Sequence, residues 1–126
     1  MAKILVVEDN ADNMKLFRAL LTLRGHQVTA LPSGDGLQEA LAAAAPELVL
    51  MDIQLPGKDG FALLAEIRVS SWSGLRVVAL TAHAMSGDGE RARAAGFDDY
   101  ITKPIDIATF PGQVDRVLAG QRAAPA

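Results

Sequence analysis

Apolar residues in this chain cluster into five short runs, and the segments between the runs carry apolar residues at helical spacing. Four runs cover residues 4–7, 28–31, 48–51 and 77–80, and the fifth is the pair Tyr100-Ile101 within the predicted strand 99–101. Short runs without polar alternation are typical of strands that are buried on both faces of a parallel sheet. Because the runs alternate with helical segments, the pattern predicts five βα units in an α/β fold, with helices on both faces of the sheet.

Local signals set the bounds of the first three helices. Asn10 is suited to cap the first helix, and Gly25 lies where the stop of that helix belongs. The second helix is predicted over residues 37–44, an alanine-rich stretch that ends before Pro46, and the third over residues 61–67. These helices alternate with the predicted strands, as the βα pattern requires.

The last two helices carry residues that disfavour helical structure. Gly87 and Gly89 weaken the fourth helix, which is predicted from about residue 83 to residue 95. In the fifth helix, Pro111 would remove one backbone hydrogen bond and clash with the carbonyl four residues earlier. The fifth helix is therefore expected to begin late, with Thr109 as its cap, or to be kinked at Pro111.

Length and composition narrow the class of protein. A chain of 126 residues, 50% of them hydrophobic, suits one domain with a single core. The formal net charge is −3 and no basic run stands out, which argues against a nucleic-acid binder. The chain has no cysteine, which excludes disulfides, thiolate metal sites and cysteine nucleophiles and is consistent with a cytoplasmic protein. The first strand leads at once to Glu8 and Asp9, so this segment is expected to be neither a signal peptide nor a membrane span.

Polar side chains stand where the predicted strands end. The set comprises Glu8 and Asp9 after the first strand, Asp52 after the third, Thr81 after the fourth and Lys103 after the fifth. Because the strands are parallel, these ends share one edge of the sheet, which is where open α/β folds bind their ligands. Three carboxylates that meet there would repel one another and raise at least one pKa.

A divalent cation would relieve this repulsion. The candidate ligands offer oxygen atoms without Cys or His, which favours Mg²⁺, or Mn²⁺ as a substitute, over zinc. Lys103 adds a positive charge and Thr81 a hydroxyl, and the combination suits a phosphoryl group. Asp carboxylates can act as phosphoryl acceptors, and Asp52, a charge at the end of an apolar strand, is the candidate acceptor.

The order and spacing of these residues resemble those of response-regulator receiver domains, from Met1 to about Gly120. The matching positions are Glu8-Asp9, Met51-Asp52 followed by Pro56 and Gly60, Thr81-Ala82, Tyr100 and Lys103-Pro104. The stretches 8–17 and 51–56 are most similar to single-domain regulators of the DivK type, and receivers attached to hybrid kinases share part of that likeness.

The resemblance implies a CheY-like, doubly wound fold with parallel strands in the order 2-1-3-4-5. Residues 1–120 would form one receiver domain, and residues 121–126 would be a disordered tail. The protein would be a cytoplasmic, single-domain response regulator of a two-component phosphorelay. Its partners would be a histidine kinase or histidine phosphotransfer protein, and a downstream protein that binds the face of the fourth helix, fifth strand and fifth helix. Neither nucleic acid nor membrane is expected as a partner.

The resemblance also implies roles at the acidic site. Asp52 would accept the phosphoryl group from a phosphohistidine, and Lys103 would contact the phosphoryl oxygens. Asp9 and Asp52 would bind Mg²⁺ directly, together with the backbone carbonyl of Gln54. Glu8 would act through a metal-bound water; it stands where the family commonly has an aspartate.

Further implied roles concern the response to phosphorylation. Thr81 would swing to hydrogen-bond the phosphoryl group, and Tyr100 would move inward to fill the vacated space, giving a two-state switch. The Lys103-Pro104 bond would be cis. Gln54 and His83 occupy the positions that tune hydrolysis of the phosphoaspartate. The unusual pair at 111–112 would reshape the face that family members use for partners.

Two other classes of protein compete with a phosphorylated receiver. An Asp-nucleophile phosphohydrolase of the haloacid-dehalogenase type usually needs a second Asp two residues after the nucleophile, and Gln54 at that position cannot act as an acid. No enzymatic activity is therefore expected beyond phosphorylation and dephosphorylation at Asp52. A pseudo-receiver that binds partners without phosphorylation usually lacks the acceptor, the acids or the lysine, and all of these are present.

Some residues have a plainer interpretation. His26 is predicted to be a surface residue beside a strand, and residues 90–93 are predicted to form a solvated helix face. Tyr100 fits a half-buried strand aromatic as well as a switch.

Overall fold

The computed structural model describes residues 2–55, 57, 59–82 and 87–120, with Asp88 as backbone only. The strands are β1 (Lys3–Val7), β2 (Gln27–Leu31), β3 (Leu48–Asp52), β4 (Arg76–Thr81) and β5 (Asp99–Thr102). The helices are α1 (Ala11–Leu23), α2 (Leu37–Ala44), α3 (Gly60–Arg68), α4 (Asp88–Ala95) and α5 (Phe110–Leu118). Strands and helices alternate along the chain, as the hydrophobic pattern predicts.

The strands form one parallel sheet in the order β2-β1-β3-β4-β5. This is the order implied by the family resemblance, so the predicted doubly wound α/β fold is confirmed. β3 lies at the centre of the sheet, and all 5 of its residues are buried. Burial on both faces explains why residues 48–51 show no polar alternation.

Two hydrophobic clusters fill the space on either side of the sheet. One packs Met51 and neighbouring strand residues against α2, α3 and α4, with Leu63 among the fully buried side chains. The other packs Leu50 and its neighbours against α1 and α5 through Phe17 and Phe110, whose ring centroids are 5.5 Å apart. Alternate residues of β3 enter different clusters because successive strand side chains point to opposite faces.

The first helix has the predicted start and stop, and the second helix ends in a different way. Asn10 caps α1 by accepting a hydrogen bond from the backbone N–H of Asn13 at 2.9 Å, and Gly25 follows that helix with a φ of 83°. Both features match the prediction. The end of α2 instead places Ala45 at a φ of 47°, and its N–H donates to the carbonyl of Leu41. This left-handed conformation costs a non-glycine residue about 1 kcal/mol.

The last two helices test the predicted helix starts. α4 begins at Asp88, after Gly87 at a φ of 87°, so the predicted helix does not run unbroken through residue 87. The predicted start near residue 83 lies outside the described residues. α5 begins at Phe110 with Thr109 at its N-cap position, although the Thr109 side chain makes no capping hydrogen bond. Pro111 lies in the first turn, where its missing N–H leaves no gap in the hydrogen-bond ladder, so the late start is confirmed. Within the described ranges, no helix combines the length and apolar character needed to span a membrane.

Candidate functional site

The carboxyl ends of the strands bring the predicted site residues to one edge of the sheet. The strand register places Glu8 level with Asp52, Thr81 one residue further on, and Lys103 one residue beyond Thr81. Glu8, Asp52 and Thr81 are buried. A buried polar group needs a partner or a ligand, so this edge holds the candidate site.

Three carboxylates form an acidic cluster at this edge. One oxygen each from Glu8, Asp9 and Asp52 lies within 4.8 Å of the others. Glu8 and Asp52 are buried, whereas Asp9 is exposed. Lys103 balances one of these negative charges, so an excess of negative charge remains. Oxygen donors at this spacing, with excess negative charge, fit a hard divalent cation such as Mg²⁺.

Lys103 pairs with both buried carboxylates at once. Its Nζ donates to Oδ2 of Asp52 at 2.9 Å and to Oε1 of Glu8 at 3.2 Å. The lysine side chain is 17% exposed, against 0% for Glu8 and 3% for Asp52. Its backbone N–H donates to the carbonyl of Thr81 at 2.7 Å, and the Lys103-Pro104 bond is cis, as the resemblance implied. The ammonium therefore has a defined position next to the candidate acceptor.

Burial and neighbouring charges together shift two pKa values at the site. Burial raises the pKa of Glu8 above its ordinary value of 4.5, and the charge of Asp52 adds to this, against the hydrogen bond from the backbone N–H of Asn10. The predicted raised pKa among the carboxylates is thus confirmed. Burial alone would lower the pKa of Lys103, but the hydrogen bond and charge of Asp52, with the charge of Glu8, raise that pKa above its ordinary value of 10.5. Neighbouring carboxylates contribute to both shifts, and a bound cation would offset that contribution.

The loop after β3 holds the other oxygen of the candidate acceptor. Oδ1 of Asp52 accepts a hydrogen bond from the backbone N–H of Gln54 at 2.8 Å. At the end of the loop, a Cβ on Gly60 would lie 2.7 Å from Cα of Ile53 and 2.8 Å from the carbonyl oxygen of Asp52. Glycine is therefore required where the loop folds back. The Gln54 backbone lies beside Asp52, while the metal contact implied for its carbonyl stays a prediction.

The two residues of the predicted switch lie in different surroundings. Thr81 ends β4 at the carboxylate edge and is buried. Tyr100 is half-buried in β5, in register with Ala79, and the Cζ atom of Arg93 in α4 lies 4.9 Å from its ring centroid. The arrangement places Tyr100 against a helix and Thr81 beside the acceptor, and their coupled movement stays a prediction.

His26 is more buried than the sequence predicts. Its side chain is 8% exposed, its Nδ1 accepts a hydrogen bond from the N–H of Ala2 at 3.1 Å, and its Nε2 lies 3.5 Å from Oδ1 of Asp115. The predicted surface position is wrong because Ala2, just before β1, and Asp115 of α5 both lie against this ring.

The predicted solvated face of α4 is also only partly correct. Glu90 and Arg91 are exposed, but Ala92 is fully buried. Arg93 donates from Nη2 to Oδ1 of Asp99 at 3.1 Å, and the Asp99 side chain is 3% exposed. Gly89 and Arg93 are four residues apart, which places both on one side of a helix. This spacing is the sequence signal that could have indicated that this side of α4 faces the protein.

Some predictions fall on residues outside the described part of the chain. They concern Pro56, which matches the family pattern after the acceptor, His83, which would tune hydrolysis, and the tail at 121–126.

Comparison with known proteins identifies the family. The family model described as the response regulator receiver domain matches residues 4–115. The chain belongs to this family. The matched part of the receiver domain includes every predicted site residue, from Glu8 to Lys103.

Relatives of the receiver domain include both short regulators and long sensor proteins. This chain is 39% identical over 114 residues to the polar-differentiation response regulator DivK of Brucella abortus (strain 2308). The match covers 85% of this chain and 88% of DivK. It is 41% identical over 107 residues to the sensor protein GacS of Pseudomonas syringae pv. syringae. That match covers 82% of this chain but 12% of GacS, so the chain spans a small part of this relative's length.

A solved receiver domain supports the same fold. The receiver domain of sensor histidine kinase PA1611 from Pseudomonas aeruginosa PAO1 has a TM-score of 0.80 and 33% identity, with 94% of this chain and 95% of that chain covered. In that structure a magnesium ion is coordinated in the active site cleft. The chain described here is thus a receiver domain of a two-component signalling system.

Proposed function

We propose that this receiver domain accepts a phosphoryl group on Asp52 from a phosphohistidine of a histidine kinase or a histidine phosphotransfer protein. The observation that carries the proposal is the position of the Asp52 carboxylate, which belongs to the acidic cluster and accepts a hydrogen bond from Lys103 at 2.9 Å. A buried carboxylate with an ammonium and metal-type ligands beside it suits nucleophilic attack on a phosphoryl group.

The proposed transfer uses the groups around Asp52. An oxygen of Asp52 attacks phosphorus, the bond from phosphorus to the histidine nitrogen breaks, and the nitrogen takes up a proton as the histidine leaves. The Lys103 ammonium offsets negative charge on the transferred oxygens, and Thr81 supplies a hydroxyl at the end of the next strand. Mg²⁺ held by Asp9 and Asp52, with Glu8 acting through water, would supply a second positive charge to the site.

The metal part of the proposal is supported by the donor set. Three carboxylates with excess negative charge, and a raised Glu8 pKa, are features that a divalent cation would relieve. The coordinated magnesium ion in the PA1611 receiver domain is consistent with this assignment. Direct contacts from Asp9, Asp52 and the Gln54 carbonyl, with Glu8 acting through water, complete the proposed ligand set, and Mn²⁺ could substitute for Mg²⁺.

We further infer that the output is protein binding. The match to the response regulator DivK, which covers 88% of that protein, supports a regulator of the same kind, proposed as single-domain and cytoplasmic. Its own chemistry would be confined to phosphorylation and dephosphorylation at Asp52. Movement of Thr81 and Tyr100 would change the face of α4, β5 and α5, where the downstream protein would bind. Neither nucleic acid nor membrane belongs to the proposed partners.

Labelling with radioactive acetyl phosphate in the presence of Mg²⁺ tests the acceptor. We expect the wild-type protein to be labelled, Asp52→Asn to remain unlabelled, and EDTA to abolish the reaction. Asp35→Asn, at an exposed aspartate before α2, is the matched control and should be labelled like the wild type. Undiminished labelling of Asp52→Asn would refute the assignment.

Two further outcomes would favour the other function classes. Rapid turnover of phosphate esters would indicate a phosphohydrolase. A partner that binds equally well to Asp52→Asn and to the wild type, with or without phosphodonor, would indicate a phosphorylation-independent adaptor.

A further inference from the structure

The ring of Tyr100 occupies a notch on α4 that exists because residue 89 has no side chain. A Cβ on Gly89 would lie 2.5 Å from Cζ and 2.6 Å from Cε2 of the Tyr100 ring. Both distances are shorter than carbon atoms tolerate, so the tyrosine ring and a side chain at position 89 exclude each other. We call this space, bounded by Gly89 and Arg93, the tyrosine notch.

Arg93 closes the notch one helical turn further along. Its Cζ lies 4.9 Å from the centroid of the Tyr100 ring, within the range of a cation–π interaction. Oδ1 of Asp99 accepts hydrogen bonds from Nη2 of Arg93 at 3.1 Å and from the backbone N–H of Tyr100 at 2.8 Å. One buried carboxylate thus fixes the arginine and the backbone that carries the tyrosine.

Both sides of the notch are locally unfavourable without the ring. Glycine within a helix is less stable than alanine because it loses more backbone freedom on folding. The Nε atom of Arg93 is buried and has no hydrogen-bond partner among the described residues. Both features lie against the tyrosine ring, which fills the space left by Gly89 and faces the Arg93 guanidinium.

We propose that the tyrosine notch holds Tyr100 in the unphosphorylated receiver and thereby sets how readily the domain switches. The proposal rests on the proposed function, since phosphorylation of Asp52 would have to draw the ring from the notch. In a two-state protein, weakening contacts made in one state shifts the population towards the other. Arg93 would thus be a positioning residue, remote from the phosphoryl group, that acts through Tyr100.

The ring can be observed directly because Tyr100 is the only tyrosine in the chain. Protein labelled with ¹³C-tyrosine gives one set of ring signals, which we would record with Mg²⁺ alone and during titration with beryllofluoride, a stable phosphoryl mimic. In Arg93→Gln, we expect the Mg²⁺-only signal to shift towards its mimic-bound position. The half-saturating beryllofluoride concentration should fall about two- to five-fold, as expected for loss of one cation–π contact. Mg²⁺ affinity measured without the mimic should stay unchanged.

Gly89→Ala tests the other side of the notch. The added methyl group should displace the ring and shift the Mg²⁺-only signal in the same direction as Arg93→Gln. Arg91→Gln is the matched control, because it removes a cation from the same helix whose Cζ lies 5.0 Å from the ring centroid of Phe61. It should titrate like the wild type.

The outcomes separate the notch from the proposed function. If wild-type protein fails to bind beryllofluoride with Mg²⁺, the proposed function is refuted and the notch proposal with it. If the mimic binds but Arg93→Gln leaves both the ring signal and the half-saturation point unchanged, only the notch proposal is overturned. An equal effect of Arg91→Gln would assign the change to net charge and would also overturn it.

Discussion

Replacing Lys103 with methionine removes a charge that two buried carboxylates share. Its Nζ lies 2.9 Å from Oδ2 of Asp52 and 3.2 Å from Oε1 of Glu8. Methionine keeps most of the apolar stem, so the substitution chiefly removes the ammonium. Glu8 and Asp52 then face each other without a positive partner.

The expected loss is large in the absence of metal. Removing one partner of a buried ion pair costs about 3–5 kcal/mol, and we take about 3 kcal/mol because the Lys103 side chain is 17% exposed. For a chain of 126 residues, this corresponds to a fall in Tm of about 10 °C. Mg²⁺ bound to the same carboxylates would replace the missing charge, so the fall in Tm should be less than half as large at saturating Mg²⁺.

Thermal unfolding followed by circular dichroism, in EDTA and in saturating Mg²⁺, measures both values. Lys15→Met, at an exposed lysine of α1, is the control and should leave Tm within about 2 °C of the wild type under both conditions. An equal fall in Tm with and without Mg²⁺ would refute the expectation that the ion replaces the lysine charge. An unchanged Tm in EDTA would refute the stabilising role of Lys103.

Three further predictions concern stability. Ala45→Gly should raise the free energy of unfolding by about 0.5–1 kcal/mol because glycine relieves the φ of 47°; an unchanged urea midpoint would contradict this. Gly60→Ala should destabilise the domain by about 2 kcal/mol and weaken Mg²⁺ binding, because its Cβ would meet the backbone of Ile53 and Asp52. In the same urea and Mg²⁺ titrations, the control Gly112→Ala should have neither effect, because its Cβ meets no atom within 4 Å. In EDTA, protonated Glu8 contributes stability below its unfolded pKa, near 4.5, and this contribution is lost as pH rises through the raised folded pKa. Urea unfolding from about pH 5 to pH 8 should show that slope in the wild type and a smaller slope in Glu8→Gln, and an equal slope in the variant would count against the assignment.

The hydrophobic pattern predicted the sheet because burial on both faces leaves a clear mark. Residues 48–51 are apolar without alternation, and β3 is central in the structure. Alternation of strands with helices predicted parallel pairing, while the strand order required the family resemblance. The prediction of a helix that continues through Gly87 was wrong because the left-handed conformation of this residue depends on the surrounding structure as well as on glycine's tolerance for it.

The acidic site was predictable for a topological reason. Glu8, Asp52 and Lys103 each lie at the carboxyl end of a strand, so parallel pairing alone brings them to one edge. The burial of His26 follows instead from packing against Ala2 and Asp115, which are distant from it in the chain, so no local pattern encodes it. Arg93 pairs with Asp99, which is only 6 residues away, but the direction of the arginine side chain depends on how α4 packs against β5.

The contact between Lys103 and Glu8 joins residues 95 positions apart, one just after the first strand and one just after the last. During synthesis, the acceptor and its acidic neighbours leave the ribosome long before the lysine does. A nascent or truncated chain that ends before β5 therefore carries Asp52 without the charge that completes its surroundings. Under the proposed function, the ability to accept a phosphoryl group would therefore arrive together with the finished fold, and phosphorylation would be restricted to molecules whose sheet is complete.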